Sequence, residues 1–184
     1  MLHLESSFFD EQTLKNLVYT APFAAPLAYA GVGLLLILDR MVDPRSTEWA
    51  RWVVLMALGG FVGNFVLTLA DHAQNGFFQP AEWIGVIAAA IAVGALTAVL
   101  IVPDNRPLLG LCAWVMAAQG VVGGLGAAYH VAANLTRPGA IWEKFLYGAP
   151  AFAPLLFANL AILALIGLWA LAAIPPRAAA ITTS

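Results

Sequence analysis

His72 and His130 are the residues of this chain best suited to chemistry. Each lies at the edge of a long apolar run, and a neutral imidazole in that position can ligate haem iron, the magnesium of a chlorophyll-type pigment, copper or zinc. Ionisable groups at such depth are functional candidates by default. Their surroundings suit a flat macrocycle, since Gly126 and other small residues flank His130 and Thr68 and alanines flank His72, with Tyr129 beside the second histidine. The same small residues also serve plain helix packing. A histidine there can equally bond a backbone carbonyl or meet water and headgroups, which is the commoner fate. Asp71 precedes His72 and could orient its ring, although adjacent helical residues point about 100° apart and Asp71 could simply mark a helix end facing water.

Both histidines belong to an echo. His72 is followed by Asn75, Pro80 and Glu82-Trp83, and His130 by Asn134, Pro138 and Trp142-Glu143, with eight residues from histidine to proline in each case. A second repeat is sharper. Tyr19-Thr-Ala-Pro22 with Pro26 opens one apolar run, and Tyr147-Gly-Ala-Pro150 with Pro154 opens another. Prolines four apart share one helix face, and each removes a donor and frees a carbonyl a turn earlier. One proline of each pair fits a helix's first turn, whereas Pro26 and Pro154 fall deeper and are expected to kink their helices. The chain is thus read as holding a remnant of duplication, without a clean two-unit repeat.

The elements that position these residues are membrane spans. Hydrophobic residues are 62% of the 184 and charged residues only 10%, and the mean hydropathy is +0.87. That composition belongs to a chain whose solvent is lipid. Stretches at 17–38, 52–71, 83–102, 108–133 and 147–174 reach the roughly 20 residues a span needs. The expectation is an all-α integral membrane protein, a single domain over 1–184, built as a compact bundle of about five helices with helices one and five proline-kinked. Acidic Glu5, Asp10 and Glu11 near the start do not fit a signal peptide, so the first span is expected to be retained.

Lys and Arg in the short loops set orientation. Arg40, Arg45, Arg51, Arg106 and Arg177 share one side against Lys15, Arg137 and Lys144 on the other, which favours an outside N-terminus and a cytoplasmic C-terminus in a bacterial inner membrane. His72, His130, Asp71, Asn75, Asn134, Tyr19 and Tyr147 then gather at the outer face, with Pro26 and Pro154 just inside it. Net charge is −2 with no basic run, which speaks against nucleic acid as a partner. The single Cys112 offers neither a disulfide nor a thiolate cluster. No chain of intramembrane carboxylates or catalytic triad spacing is present, so an enzyme or proton-coupled transporter is the least favoured class.

Three functions remain open. The first is an accessory subunit of a larger respiratory or photosynthetic redox complex, able to hold a haem or other tetrapyrrole between His72 and His130, with lipid and other membrane subunits as partners. The second is a purely structural or assembly protein without cofactor. The third is a small membrane enzyme or transporter using the two histidines as acid or base.

Overall fold

A computed structural model describes residues 26–74 and 76–175. Every regular element there is helical: α1 (Pro26–Met41), α2 (Thr47–Gln74), α3 (Glu82–Ile101), α4 (Arg106–Thr136), the short α5 (Ile141–Leu146), and α6 (Leu156–Ala173), which a 3-10 turn at Ala153–Leu155 precedes. Four of these are long and apolar enough to cross a membrane: α2, α3, α4, and α6 together with its 3-10 turn. Of the first expected span, 17–38, only α1 falls within the described residues. Tyr19, Pro22, Asn75 and Arg177 lie outside them.

Local chemistry sets the helix ends. Ser46 Oγ accepts the Trp49 N–H at 3.1 Å and opens α2, while Asn105 Oδ1 accepts the Leu108 N–H at 3.1 Å with Pro107 in the first turn of α4. Each cap satisfies a donor that the helix start leaves without a partner. At 28 and 31 residues, α2 and α4 are about 42 and 46 Å long. Both exceed a hydrocarbon core of about 30 Å, so their last turns emerge at headgroup depth.

The interior follows a three-four spacing. Ala50, Val54, Ala57 and Phe61 line α2; Leu109, Cys112 and Met116 line α4; Phe157, Ala161, Ala164, Leu168 and Leu171 line α6. Side chains at this spacing form one seam per helix and pack knob into hole. Asn64 and Gln119 continue the seams and are buried, and Gln119 ties α4 to α3 by donating to the Ala88 carbonyl at 3.0 Å. Lipid offers helices no hydrophobic reason to associate, so small residues that permit close approach carry the packing.

The bundle is a ring. α2 packs against α3 and α6, and α4 against α3 and α6, leaving α2 and α4 diagonal. α1 touches α2 beside their connection, where Trp49 Nε1 donates to Asp39 Oδ1 at 2.8 Å. One end of the ring gathers Arg40, Arg45, Arg51 and Arg106; the other gathers the histidines. These are called the arginine end and the histidine end below.

Two details of the last span differ from the sequence reading. Its helix opens at the Ala153–Leu155 turn and not at Tyr147, because α5 ends at Leu146 and the chain bends through Tyr147–Phe152. Pro154 accordingly sits in the first turn of the 3-10 segment, where its missing donor needs no partner.

Candidate functional site

The histidine end is built from two separate clusters. The first forms where α4 receives the segment that leads into α6. Gly123, Gly126, His130 and Asn134 recur at three- and four-residue intervals and so share one face of α4. That face holds the Tyr147–Pro154 motif. Asn134 is fully buried and bonds Ala149 twice, Nδ2 donating to its carbonyl at 2.8 Å and Oδ1 accepting its N–H at 2.7 Å. His130 Nδ1 lies 3.0 Å from the Pro150 carbonyl, which also accepts the Ala153 N–H at 3.1 Å.

Glycine makes the fit possible. A Cβ on Gly126 would come within 2.8 Å of Pro154 Cβ, and one on Gly123 within 2.9 Å of the Pro154 carbonyl oxygen. A Cβ on Gly148 would collide with Asn134 Oδ1 and the Lys144 carbonyl oxygen. Of the small residues expected to make room for a macrocycle beside His130, Gly123 and Gly126 are thus occupied by the proline motif itself. Lys144 Nζ donates to the Leu135 carbonyl at 3.0 Å, which holds α5 against the end of α4, and Glu143 Oε2 accepts the Ala140 N–H at 3.2 Å, which closes the start of α5.

The second cluster joins the end of α2 to the start of α3. His72 Nδ1 is 3.6 Å from Glu82 Oε2, and their side chains keep only 18% and 11% of their exposure. The distance is too long for a hydrogen bond and is an ion pair only when the imidazole is protonated. Glu82 Oε2 is buried without a hydrogen-bond partner. Glu82, not Asp71, therefore supplies the carboxylate beside His72. Phe77 in the connecting loop has φ +51° and stacks on Trp83 with ring centroids 3.9 Å apart, and its ring centroid is 6.2 Å from that of His72. A bulky side chain in the left-handed region is held there against its own backbone preference.

No family model, curated protein or solved structure matches the chain. Its chemistry is therefore argued from these two clusters. The two histidines belong to diagonal helices, and each has its own neighbour, Glu82 in α3 for His72 and Pro150 in the bend before α6 for His130. Thr68 faces α3, its Cγ2 lying 3.3 Å from where a Cβ on Gly85 would be. Tyr129 and Tyr147 are exposed at 59% and 70%, as suits interfacial anchors. Among the described residues no group of three or more His, Cys, Asp or Glu is placed to hold a metal ion.

Sequence reasoning passed over Gly148, Phe77 and the pairing of Glu82 with His72. The Asn75-Gly76 pair ahead of Phe77 was an available turn signal. Gly148 had no signal beyond its place inside the repeated motif. The strain at Phe77 gives a direct expectation: Phe77→Gly and Phe77→Ala both lose the stack on Trp83, but only glycine relieves the positive φ. Phe77→Gly should be the more stable of the two by about 1 kcal/mol in denaturant titrations of the detergent-solubilised protein. Equal stability would show that the loop relaxes once the ring is gone.

Proposed function

We propose that the protein is a non-catalytic accessory or assembly subunit of a larger membrane complex, an integral bundle that associates with other membrane chains. One observation supports this best. The polar groups of the α4 cluster are engaged by the chain's own backbone, with His130 on Pro150, Asn134 on Ala149 and Lys144 on Leu135. Such groups build a rigid cap on the bundle, and a rigid cap is what a partner-binding subunit presents.

The rest of the reading follows from composition and charge. We assign α1 to the expected first span, a fifth beside the four long helices. The arginine end is cytoplasmic, because Arg40, Arg45, Arg51 and Arg106 outnumber Arg137 and Lys144 at the opposite end. The N-terminus is then outside, the membrane is a bacterial inner membrane, and nucleic acid is not a partner of a chain with net charge −2.

A redox complex with a tetrapyrrole between His72 and His130 is the second reading, and one feature favours it. If Nδ1 of His130 donates to the Pro150 carbonyl, Nε2 is left with a free electron pair, the arrangement that orients ligand histidines in metal sites. Against it stand Gly123 and Gly126, whose space Pro154 fills. Absorption spectroscopy and metal analysis of the gently solubilised protein separate the readings. The subunit without cofactor predicts a colourless, metal-free preparation that carries another membrane chain in fixed ratio. A Soret band that disappears in the His72→Ala, His130→Ala double mutant would overturn the cofactor-free version, and a chain that purifies alone would overturn the subunit itself.

A further inference from the structure

We propose that the groove between α2 and α3 at the arginine end binds a phosphoethanolamine lipid by its headgroup and upper acyl chain. The groove is about 490 Å³ and is lined by Thr47, Glu48, Arg51, Trp52 and Leu55 of α2, with Leu100 of α3 closing it. Positions 48, 51, 52 and 55 form one helix face, so these side chains stand in a single row. Along that row chemistry changes with depth. Thr47 and Glu48 are at the helix start, Arg51 and Trp52 one turn further in, and Leu55 another turn beyond, each turn advancing about 5.4 Å. Charge, then amphipathic ring, then aliphatic chain is the order of a phospholipid itself.

Both charges in the row are available. Glu48 and Arg51 are exposed, and no ion pair joins them among the described residues. Arg51 has one long hydrogen bond, Nη2 to the Leu100 carbonyl at 3.4 Å. A zwitterionic headgroup satisfies both: its phosphate accepts from the Arg51 guanidinium and the Thr47 hydroxyl, and its ammonium donates to the Glu48 carboxylate. An anionic phosphatidylglycerol would meet Arg51 through its phosphate, but its neutral glycerol brings no ammonium to Glu48 and leaves that carboxylate's charge unpaired. A phosphatidylcholine brings a quaternary ammonium with no N–H to donate.

A second groove of about 490 Å³ at the same end shows what is missing elsewhere. It lies between α4 and α6, lined by Arg106, Gly110, Leu165 and Trp169 among others. There the arginine donates to the carbonyls of Leu171, Ala172 and Ile174 at the end of α6. Its guanidinium is committed to that helix end, and no carboxylate lines the groove to meet an ammonium.

The test is native mass spectrometry of the full-length protein in detergent, with dioleoyl phosphatidylethanolamine, phosphatidylglycerol or phosphatidylcholine added one at a time. The expected result is one retained lipid with phosphatidylethanolamine preferred about fivefold, the worth of one partly exposed charge pair. Glu48→Gln should transfer the preference to phosphatidylglycerol, and Arg51→Gln should lower retention of both. Because Glu48 is exposed and its side chain makes no hydrogen bond or ion pair among the described residues, Glu48→Gln keeps the test valid even if Arg51→Gln loosens the helix pair. Equal retention of the three lipids by the natural protein, or an unchanged preference in Glu48→Gln, would overturn the proposal.

Discussion

Asn134→Ala should cost the protein about 3 kcal/mol of stability, read as a lowered midpoint in thermal or denaturant unfolding of the detergent-solubilised chain. The figure comes from what the substitution leaves behind. Asn134 is fully buried and satisfies both the N–H and the carbonyl of Ala149. Removing the amide leaves two backbone groups without partners, each worth about 1–3 kcal/mol when water cannot reach them. Asn134→Asp should fail almost as badly. A carboxylate still accepts the Ala149 N–H, but it cannot donate to the Ala149 carbonyl, and it brings a charge into a buried position. His130→Ala removes a single bond, from a half-buried ring to a carbonyl that keeps Ala153 as a second donor, and should cost about 1 kcal/mol. The order matters more than the sizes. A larger loss in His130→Ala than in Asn134→Ala would mean that the histidine, not the asparagine, holds the proline motif to α4.

That order also shows what could be read from the residues alone. Composition and span length required helices in lipid, and the four long apolar helices answer to four of the five expected stretches. The starts of α2 and α4 are equally local, since the Ser46 hydroxyl and the Asn105 amide each bond an N–H within one turn. The proline motif was harder. Its spacing within a long apolar run suggested a helix from Tyr147, yet the chain bends there until Ala153. The bend is set by Asn134 and Gly123, which are distant in sequence, and no local rule can weigh an amide thirteen residues before the segment it holds. The histidines posed the same difficulty. Their type announced chemistry, but whether a ring meets a carbonyl, a carboxylate or a ligand depends on which helix lies opposite. The ring order of the bundle decides that: α3 brings Glu82 to His72, and the approach to α6 brings Pro150 to His130.

The same ring order fastens its two hairpins in similar ways. Arg51 near the start of α2 reaches a carbonyl in the last turn of α3, and Arg106 at the start of α4 reaches the carbonyls that end α6. At the far end His72 and His130 each meet what opens the second helix of their pair. Two hairpins, α2 with α3 and α4 with α6, are thus fastened at both ends by residues of matching type. Cations suit the carbonyl ends of helices, so the arginines fasten by charge as well as by hydrogen bonds. The hairpins differ in the histidine loop, where one closes with a strained Phe77 and the other inserts α5 and the proline motif.

The close approach of α2 and α6 sets the second large effect. A Cβ on Gly167 would stand 2.8 Å from Val54 Cγ2, 3.1 Å from the Val54 backbone nitrogen and 3.2 Å from the Ala50 carbonyl oxygen. Backbone atoms have no rotamer to escape into, so Gly167→Ala must push the helices apart, and overpacking of this kind costs about 1–3 kcal/mol. Gly167→Leu should prevent the bundle from forming, seen as aggregation or loss of the monodisperse species on size exclusion. Gly60 supplies the control on the same helix pair. A Cβ there collides only with the Leu160 side chain, whose end can swing toward lipid. Gly60→Ala should therefore cost at least about 1 kcal/mol less than Gly167→Ala, although both glycines sit where α2 meets α6. If the two cost the same, then the helices do not approach through Gly167, and the packing order of the ring would have to be redrawn from that point.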